Sequence, residues 1–350
     1  MKIRKILITL FFVVLIFSGC REISVTTRVH DDGSFTRIIR ITGDSSSVFK
    51  GDLPYPVDST WKRVAVRDTT VKDSDENDDN EDDYILTYTK TFTSSDALNA
   101  EIDLDTSWRH QLDRQITVTK SFWFFYSYLT FREIFKPANP FTLLDYKEYL
   151  SAEDLQWING QKSIISRSDS NHFDEVEEKA LHFIAASVTA EMEQILEEGI
   201  TRLNDPELPV SDVARFHDSI YHYVEEWKID KPEKLIDYFQ NWTGNPVVGR
   251  LHNITPGLFD NFNKKVQFFN SLVDMESYPE TVEMPGLITE TNSSMLKGNQ
   301  VSWEVQPLNL MLVEYEMVVE SRVVNNWAFV ILGIVILLLI IVMVIKALKT

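Results

Sequence analysis

Two pairs of side chains have the spacing of metal ligands on a helix. Asp218 and His222 are four residues apart, as are Glu178 and His182, so each pair falls on one helix face and could hold a metal ion. The sequence specifies no further ligands for either pair. The preferred interpretation is a carboxylate beside a histidine at the protein surface. We predict no metal site and no cofactor.

An acidic run from residue 73 to residue 83 places oxygen atoms at alternate positions, as calcium-binding loops do. An EF-hand loop also needs a glycine at its sharp turn, and this run has none. We interpret the run as a solvated loop between two strands, extended by its own charge repulsion.

Several motifs with a known catalytic mechanism are absent from the chain: Gly-x-Ser-x-Gly, Gly-x-x-x-x-Gly-Lys, Gly-x-Gly-x-x-Gly and His-Glu-x-x-His. We therefore predict a protein without enzymatic activity. The alternative is an envelope hydrolase whose acids and bases meet only in the folded chain. A structural subunit of a membrane complex is a third option.

An aromatic run occupies residues 116–135. Its residues Trp123, Phe125, Tyr126 and Tyr128 could form a wall for an apolar ligand. The favoured interpretation is a central strand covered on both sides, because aromatic residues fall on both faces of the alternating pattern. An unbroken strand of this length would reach about 65 Å at roughly 3.3 Å per residue, so a turn or bulge is expected near Lys120 and Ser121.

The most informative stretch is Trp327 to Ile345, which contains no charged residue. At about 1.5 Å per residue it spans roughly 28 Å, close to a hydrocarbon core of about 30 Å. Trp327 suits one membrane interface, and Lys346 and Lys349 mark the cytoplasmic side. The sequence predicts a transmembrane helix over 327–345 and a cytoplasmic tail over 346–350.

A second membrane signal lies at the N-terminus. Lys2, Arg4 and Lys5 precede an apolar run over 6–17, which is too short for an ordinary membrane span. The following Ser18-Gly19-Cys20 resembles the lipobox of bacterial lipoproteins. That resemblance implies a signal peptide over 1–19 and lipidation of Cys20. Incorporation of labelled palmitate would detect the attached lipid. Cys20 is the only cysteine, so no intramolecular disulfide can form.

The charge balance restricts the partners. The chain has 53 Asp and Glu against 34 Lys and Arg, a formal net charge of −19. Such a surface repels phosphate backbones, so we predict no nucleic-acid partner.

The two ends of the chain have the pattern of strands, and its middle has the pattern of helices. Residues alternate over 23–41, with a hairpin signal at Asp32-Gly33, and again over 301–319. Between them, apolar residues recur at steps of three and four, with one helix expected to stop at Gly199. We predict an α+β fold: an antiparallel sheet from both ends, over 20–136 and 278–324, with a helical insertion over 137–277. Residues 23–41 are expected in the same sheet as residues 301–319.

The short turn motifs at the two ends resemble those of the LppM-like family of bacterial lipoproteins. The residues concerned are Cys20, Asp32-Gly33-Ser34, Pro285-Gly286, Thr291-Asn292, Gly298-Asn299 and Val301-Ser302-Trp303. The resemblance implies a β-rich exported domain before a C-terminal membrane helix, and binding related to lipids. It implies no catalytic residue.

These observations together predict a lipoprotein of the bacterial cell envelope. It would be a single-pass protein of the cytoplasmic membrane, with its domain in the periplasm or exterior and its C-terminus in the cytoplasm. The exported domain would bind a lipid, a peptide or a protein partner.

Overall fold

The computed structural model describes residues 21–50, 53–67, 83–160, 162, 166–226, 231–254 and 257–349. The strands are β1 (Glu22–Val29), β2 (Phe35–Asp44), β3 (Lys62–Arg67), β4 (Asp83–Phe92), β5 (Arg114–Trp123), β6 (Tyr126–Phe135), β7 (Tyr278–Glu283), β8 (Leu287–Thr291), β9 (Met295–Lys297), β10 (Gln300–Val305) and β11 (Tyr315–Val324). The α-helices are α1 (Ser45–Val48), α2 (Ser95–Asp103), α3 (Ala152–Ile158), α4 (Arg167–Leu203), α5 (Ser211–Arg215), α6 (His217–Glu225), α7 (Lys234–Thr243), α8 (Asp260–Val273), α9 (Pro307–Met311) and α10 (Asn326–Lys349).

The chain divides into two compact units. The first contains residues 1–135, 276–306 and 316–350, and the second contains residues 136–275 and 307–315. The first unit holds the sheets and α10, and the second holds most of the helices. The structure thus confirms the predicted α+β class, with an apolar helix at the C-terminal end.

The first unit contains two sheets. One has the strand order β3-β4-β2-β1-β7-β10-β9, and the other has the order β5-β6-β11-β8. Burial alternates along β1, β2 and β6, because each strand turns one face toward the other sheet and one toward solvent. The Asp32-Gly33 hairpin is confirmed, with Gly33 at a φ of 90° and the His30 N–H donating to the Ser34 carbonyl at 2.8 Å.

The prediction of one antiparallel sheet is wrong in two respects. First, β1 and β7 pair in parallel, because the chain returns to this sheet after the second unit and enters beside β1 in the same direction. Second, within residues 301–319, only β10 lies in the seven-stranded sheet with β1 and β2. β11 belongs to the other sheet, since the chain leaves the first unit after Gln306 and re-enters it at Glu316.

The second unit is built around α4, a helix of 37 residues. Ser166 and Asp169 form a capping box at its start, and Asn204 ends it in the left-handed conformation. The expected stop at Gly199 is wrong. A Cβ atom there would lie 3.1 Å from the Leu258 side chain. Gly199 therefore lies inside α4 and lets Leu258 pack closely against the helix.

Candidate functional site

The aromatic run forms a hairpin with an exposed tip. β5 ends at Trp123 and β6 begins at Tyr126, with the turn at Phe124 and Phe125. Phe122, Trp123 and Phe124 are 57%, 69% and 46% exposed. The turn expected near Lys120 and Ser121 is therefore wrong, because the chain turns at Phe124 and Phe125. The expectation that both faces of the strand are buried is also wrong at the tip of the hairpin. The strands are covered only farther from the tip, at residues such as Leu129 and Phe131.

Asn325, the residue before α10, fixes this tip to the start of the apolar helix. Its backbone N–H donates to the Phe125 carbonyl at 2.8 Å, and its side-chain amide donates to the Phe124 carbonyl at 3.1 Å. Its side-chain oxygen accepts from the Ser127 hydroxyl at 3.0 Å. One asparagine therefore satisfies both turn carbonyls and holds the hairpin against the chain that enters α10.

Ring contacts strengthen the same junction. The Trp327 ring stacks on Phe122, with centroids 5.7 Å apart, and meets Phe124 edge-on at 5.7 Å. Phe125 lies 5.0 Å from Phe329. We call these five residues (Phe122, Phe124, Phe125, Trp327 and Phe329) the aromatic collar. Such contacts contribute about 0.5–1.5 kcal/mol each beyond their burial.

The four residues proposed as a ligand wall occupy this hairpin. Trp123 pairs with Tyr126 across the strands, and Tyr128 lies two residues farther along the same face. Tyr126 and Tyr128 are half-buried, and the Arg322 guanidinium lies 4.7 Å from the centre of the Tyr126 ring. Phe125 lies in the turn and belongs to the collar.

A buried cluster of charges lies between the two sheets of the first unit. Arg37 on β2 contacts Glu133 on β6 at 2.9 Å, and also contacts Glu280 on β7. Arg114 on β5 contacts Glu133 and donates to the Pro54 carbonyl at 3.2 Å. Arg37, Glu133 and Glu280 have no exposed area, and Arg114 is 9% exposed. These four residues form the ionic core.

Tyr55 completes the ionic core. Its hydroxyl lies 3.0 Å from Glu133 Oε1 and 3.2 Å from Glu280 Oε2. The guanidinium carbons of Arg37 and Arg114 lie 4.0 Å and 3.5 Å from its ring centre, within cation–π distance. Both guanidinium groups therefore lie against the ring of Tyr55.

Burial and the neighbouring charges have opposite effects on the pKa values in this cluster. Burial raises the pKa of Glu280 to about 7, against the opposing influence of the Arg37 and Arg114 charges. For Arg37, burial acts to lower the pKa, but the charges of Glu133 and Glu280 outweigh it and the pKa is raised. Two guanidinium groups facing two carboxyl groups, enclosed by both sheets, connect strands across the core. Three of the four side chains have no exposed area and Arg114 has little, so the cluster is enclosed in the core.

A pocket of about 580 Å³ opens between the β1–β2 turn and the β7–β8 connection, lined by Arg28, Val29, His30, Asp31, Asp32, Glu283, Met284, Pro285 and Asn299. Arg28 Nε donates to Glu283 Oε2 at 2.5 Å. Beside it, Lys120 Nζ donates to the Asp31 carbonyl at 2.5 Å, which connects this turn to the β5–β6 hairpin.

The two candidate histidines have other neighbours in the helical unit. His182 Nδ1 lies 2.5 Å from the Tyr221 hydroxyl, and His222 lies 3.4 Å from Glu226 and 3.7 Å from Glu225. Within the described ranges no three His, Cys, Asp or Glu residues converge as a metal site. Cys20 and residues 73–82 of the acidic run lie outside the described residues.

Two features of the site were missed by sequence reasoning. The role of Asn325 has no signal in a single sequence, because its partners are 200 residues away. The ionic core did leave a signal. Arg37 falls in phase with Phe35 and Ile39, and Glu133 falls in phase with Phe131 and Phe135, all of which are buried. A charged residue in the buried phase of a strand requires a partner in the core.

Comparisons with known proteins give little further information. No family model and no curated protein matches the chain. Among solved structures, the folded domain of the LppM protein from Mycobacterium tuberculosis is similar at 8% identity, over 89% of this chain and 94% of that chain, with a TM-score of 0.27. A similarity at this level supports no conclusion about function.

Proposed function

We propose that this chain is a non-enzymatic lipoprotein of the bacterial envelope, anchored in the cytoplasmic membrane by α10 and by a lipid on Cys20. Its first unit faces the periplasm or exterior and binds a lipid, a peptide or a protein there. The observation that supports it most is α10. In the described part of the chain, it alone is long and apolar enough to cross a membrane.

The side chains of α10 are suited to lipid. Those from Val330 to Ile345 lie exposed, and they would expose a large apolar surface to water if no bilayer covered them. Its 24 residues would extend about 36 Å at roughly 1.5 Å each, enough for a hydrocarbon core of about 30 Å. Lys346 and Lys349 after the apolar stretch favour a cytoplasmic C-terminus.

Topology is the first test. Membranes should retain the full-length protein during alkaline carbonate extraction, because a transmembrane helix is effectively irreversibly inserted. Protease added to spheroplasts should digest the exported units. Fractionation with outer-membrane markers, or protection from the added protease, would contradict the proposed location.

Lipidation is tested separately. Cells expressing the Cys20→Ala variant should show no palmitate incorporation and should accumulate the uncut precursor. The variant should still resist carbonate extraction, because α10 is sufficient as an anchor. Normal palmitate labelling of the variant would exclude Cys20 as the lipidated residue.

A further inference from the structure

We propose that the tip of the β5–β6 hairpin inserts into the interfacial layer of the same bilayer that α10 crosses. The partner is the region of headgroups and first methylene groups, and the contact is made by Phe122, Trp123 and Phe124. This inference rests on the proposed function, because it takes α10 as the membrane span. It adds a second, peripheral contact that fixes how the first unit faces the membrane.

The exposure of the tip indicates a partner. Three consecutive aromatic residues, each between 46% and 69% exposed, stand at the end of a strand pair whose farther residues are buried. An exposed apolar cluster of this kind marks an interaction site. Indole and phenyl rings are also the side chains that favour the membrane interface.

The depth of the tip follows from its contacts with α10. Trp327 occupies the first turn of the helix, where an indole is stable at the interface. The rings of Phe122 and Phe124 both lie 5.7 Å from that of Trp327, so their depth in the membrane differs from that of Trp327 by no more than this distance. Phe125 lies against Phe329, which is two residues, or about 3 Å, farther along the helix. A bilayer that surrounds α10 therefore also meets the tip.

The polar groups beside the tip fit the headgroup layer. Lys120 lies three residues before Trp123 and reaches the Asp31 carbonyl, while Arg322 lies over the ring of Tyr126. Long cationic side chains next to aromatic residues are favoured at this depth, because their stems lie along apolar surface and their charges reach the phosphates. A chain with a net charge of −19 thus places two cations near the lipid.

Depth-dependent quenching of tryptophan fluorescence tests the insertion. The full-length protein is placed in phosphatidylcholine nanodiscs whose acyl chains carry bromine at a shallow position. Wild type is compared with Trp123→Phe, which keeps an aromatic tip, and with the control Trp303→Phe. Trp303 is a residue of β10 that is 5% exposed and donates to Asn292 at 3.0 Å.

The two variants should change the quenched fraction in opposite directions. The chain has eight Trp, of which Trp123 and Trp327 are assigned to the interface, so with equal emission about a quarter of the signal is quenched in wild type. This fraction should fall to about a seventh in Trp123→Phe and rise to about two sevenths in Trp303→Phe. A fraction that stays constant or rises in Trp123→Phe overturns the insertion.

The outcome separates this inference from the proposed anchor. If the protein resists carbonate extraction but Trp123 escapes quenching, α10 spans the membrane and the tip does not insert. That result would also arise if the tip bound a second membrane protein, because the nanodiscs contain lipid alone. If carbonate releases the protein, the proposed anchor itself fails.

Discussion

At the scale of single residues, the ionic core places four ionisable side chains between the two sheets of the first unit. Burying a charge without a partner costs several kcal/mol, and a buried pair is stable only when its geometry is good. Here Arg37 and Arg114 face Glu133 and Glu280, so the charges of the ionised groups cancel. Removing one member therefore leaves an uncompensated charge between the sheets.

We expect Arg37→Met to lower the free energy of unfolding by about 3–5 kcal/mol, because the carboxyl groups of Glu133 and Glu280 then share one guanidinium. Arg28→Met is the matched control. It removes the same group from an ion pair in the same sheet, but Arg28 is half exposed, so about 1 kcal/mol or less is expected. Urea unfolding of both variants at about pH 8, above the pKa of Glu280, measures the difference. If both variants lost the same free energy of unfolding, the buried ion pairs would contribute no more to stability than the exposed pair of Arg28.

The raised pKa of Glu280 has a predictable sign. A carboxyl group has an ordinary value of 4.5, and burial raises it to about 7 in the folded chain, so the folded state holds the proton more tightly. Its contribution to stability is present below pH 4.5 and is lost as the pH rises through about 7. Glu280→Gln cannot titrate. We expect wild type to lose stability relative to this variant between pH 4.5 and pH 7.

Unfolding curves at several pH values measure this difference. Arg28→Met is a suitable control, because arginine keeps its proton throughout the range and its removal leaves Glu280 in place. If the difference in the free energy of unfolding between wild type and Glu280→Gln stays constant from pH 4.5 to pH 7, the pKa of Glu280 is not raised in the folded chain.

At the scale of elements, the sequence predicts most strands and helices but not the ends of the aromatic hairpin. The alternation over residues 23–41 and the steps of three and four in the helical unit each follow one buried face, so the pattern reports the element directly. The turn at Phe124 and Phe125 contains no Gly, Pro, Asn or Asp. It is set by Asn325, which is distant in sequence, and local turn chemistry cannot reveal it.

Gly286, in the connection from β7 to β8, has the strictest requirement for glycine. Its φ is 79°, and a Cβ there would lie 2.3 Å from the backbone oxygen of Arg322. Backbone atoms of a paired strand cannot move aside cheaply, so we expect Gly286→Ala to cost more than about 2 kcal/mol of stability.

Gly298→Ala is the control for this prediction. Its φ is also positive, at 65°, but no atom lies within 4 Å of the added Cβ. Only the backbone conformation is then strained, which costs about 1 kcal/mol. In thermal unfolding, the melting temperature of Gly286→Ala should therefore be well below that of Gly298→Ala. Equal melting temperatures would show that β11 tolerates the displacement.

At the scale of the whole molecule, the two units have separate buried cores. The first is centred on the sheets, and the second on α4, with Asp154 and Lys179 paired at 3.0 Å near its start. Because each unit has its own core, we expect each unit to unfold locally with its own free energy.

We expect Arg37→Met to increase amide hydrogen exchange mainly in β1, β2 and β7, because the core it disrupts lies between those strands and the second sheet. Asp154→Asn should instead act on α3 and α4, because Asp154 forms the capping box of α3 and the ion pair with Lys179. Mass spectrometry of exchanged peptides resolves the two patterns. If either variant accelerates exchange equally throughout the chain, the units do not unfold separately.

The direction of β1 limits the two proposed anchors. Arg21, at the start of β1, pairs with Glu276, whereas the turn after β1 contacts Lys120 near the hairpin tip. The eight residues of β1 extend roughly 25 Å at about 3.3 Å each, so they act as a strut with the hairpin tip near one end. A lipid on Cys20 starts beside Arg21, at the other end. Both anchors can enter one leaflet only when the strut lies along the membrane surface. When it stands upright, a lipid on Cys20 would be held about one strand length from the leaflet that contains α10, so the two proposed anchors together require the strand to lie flat.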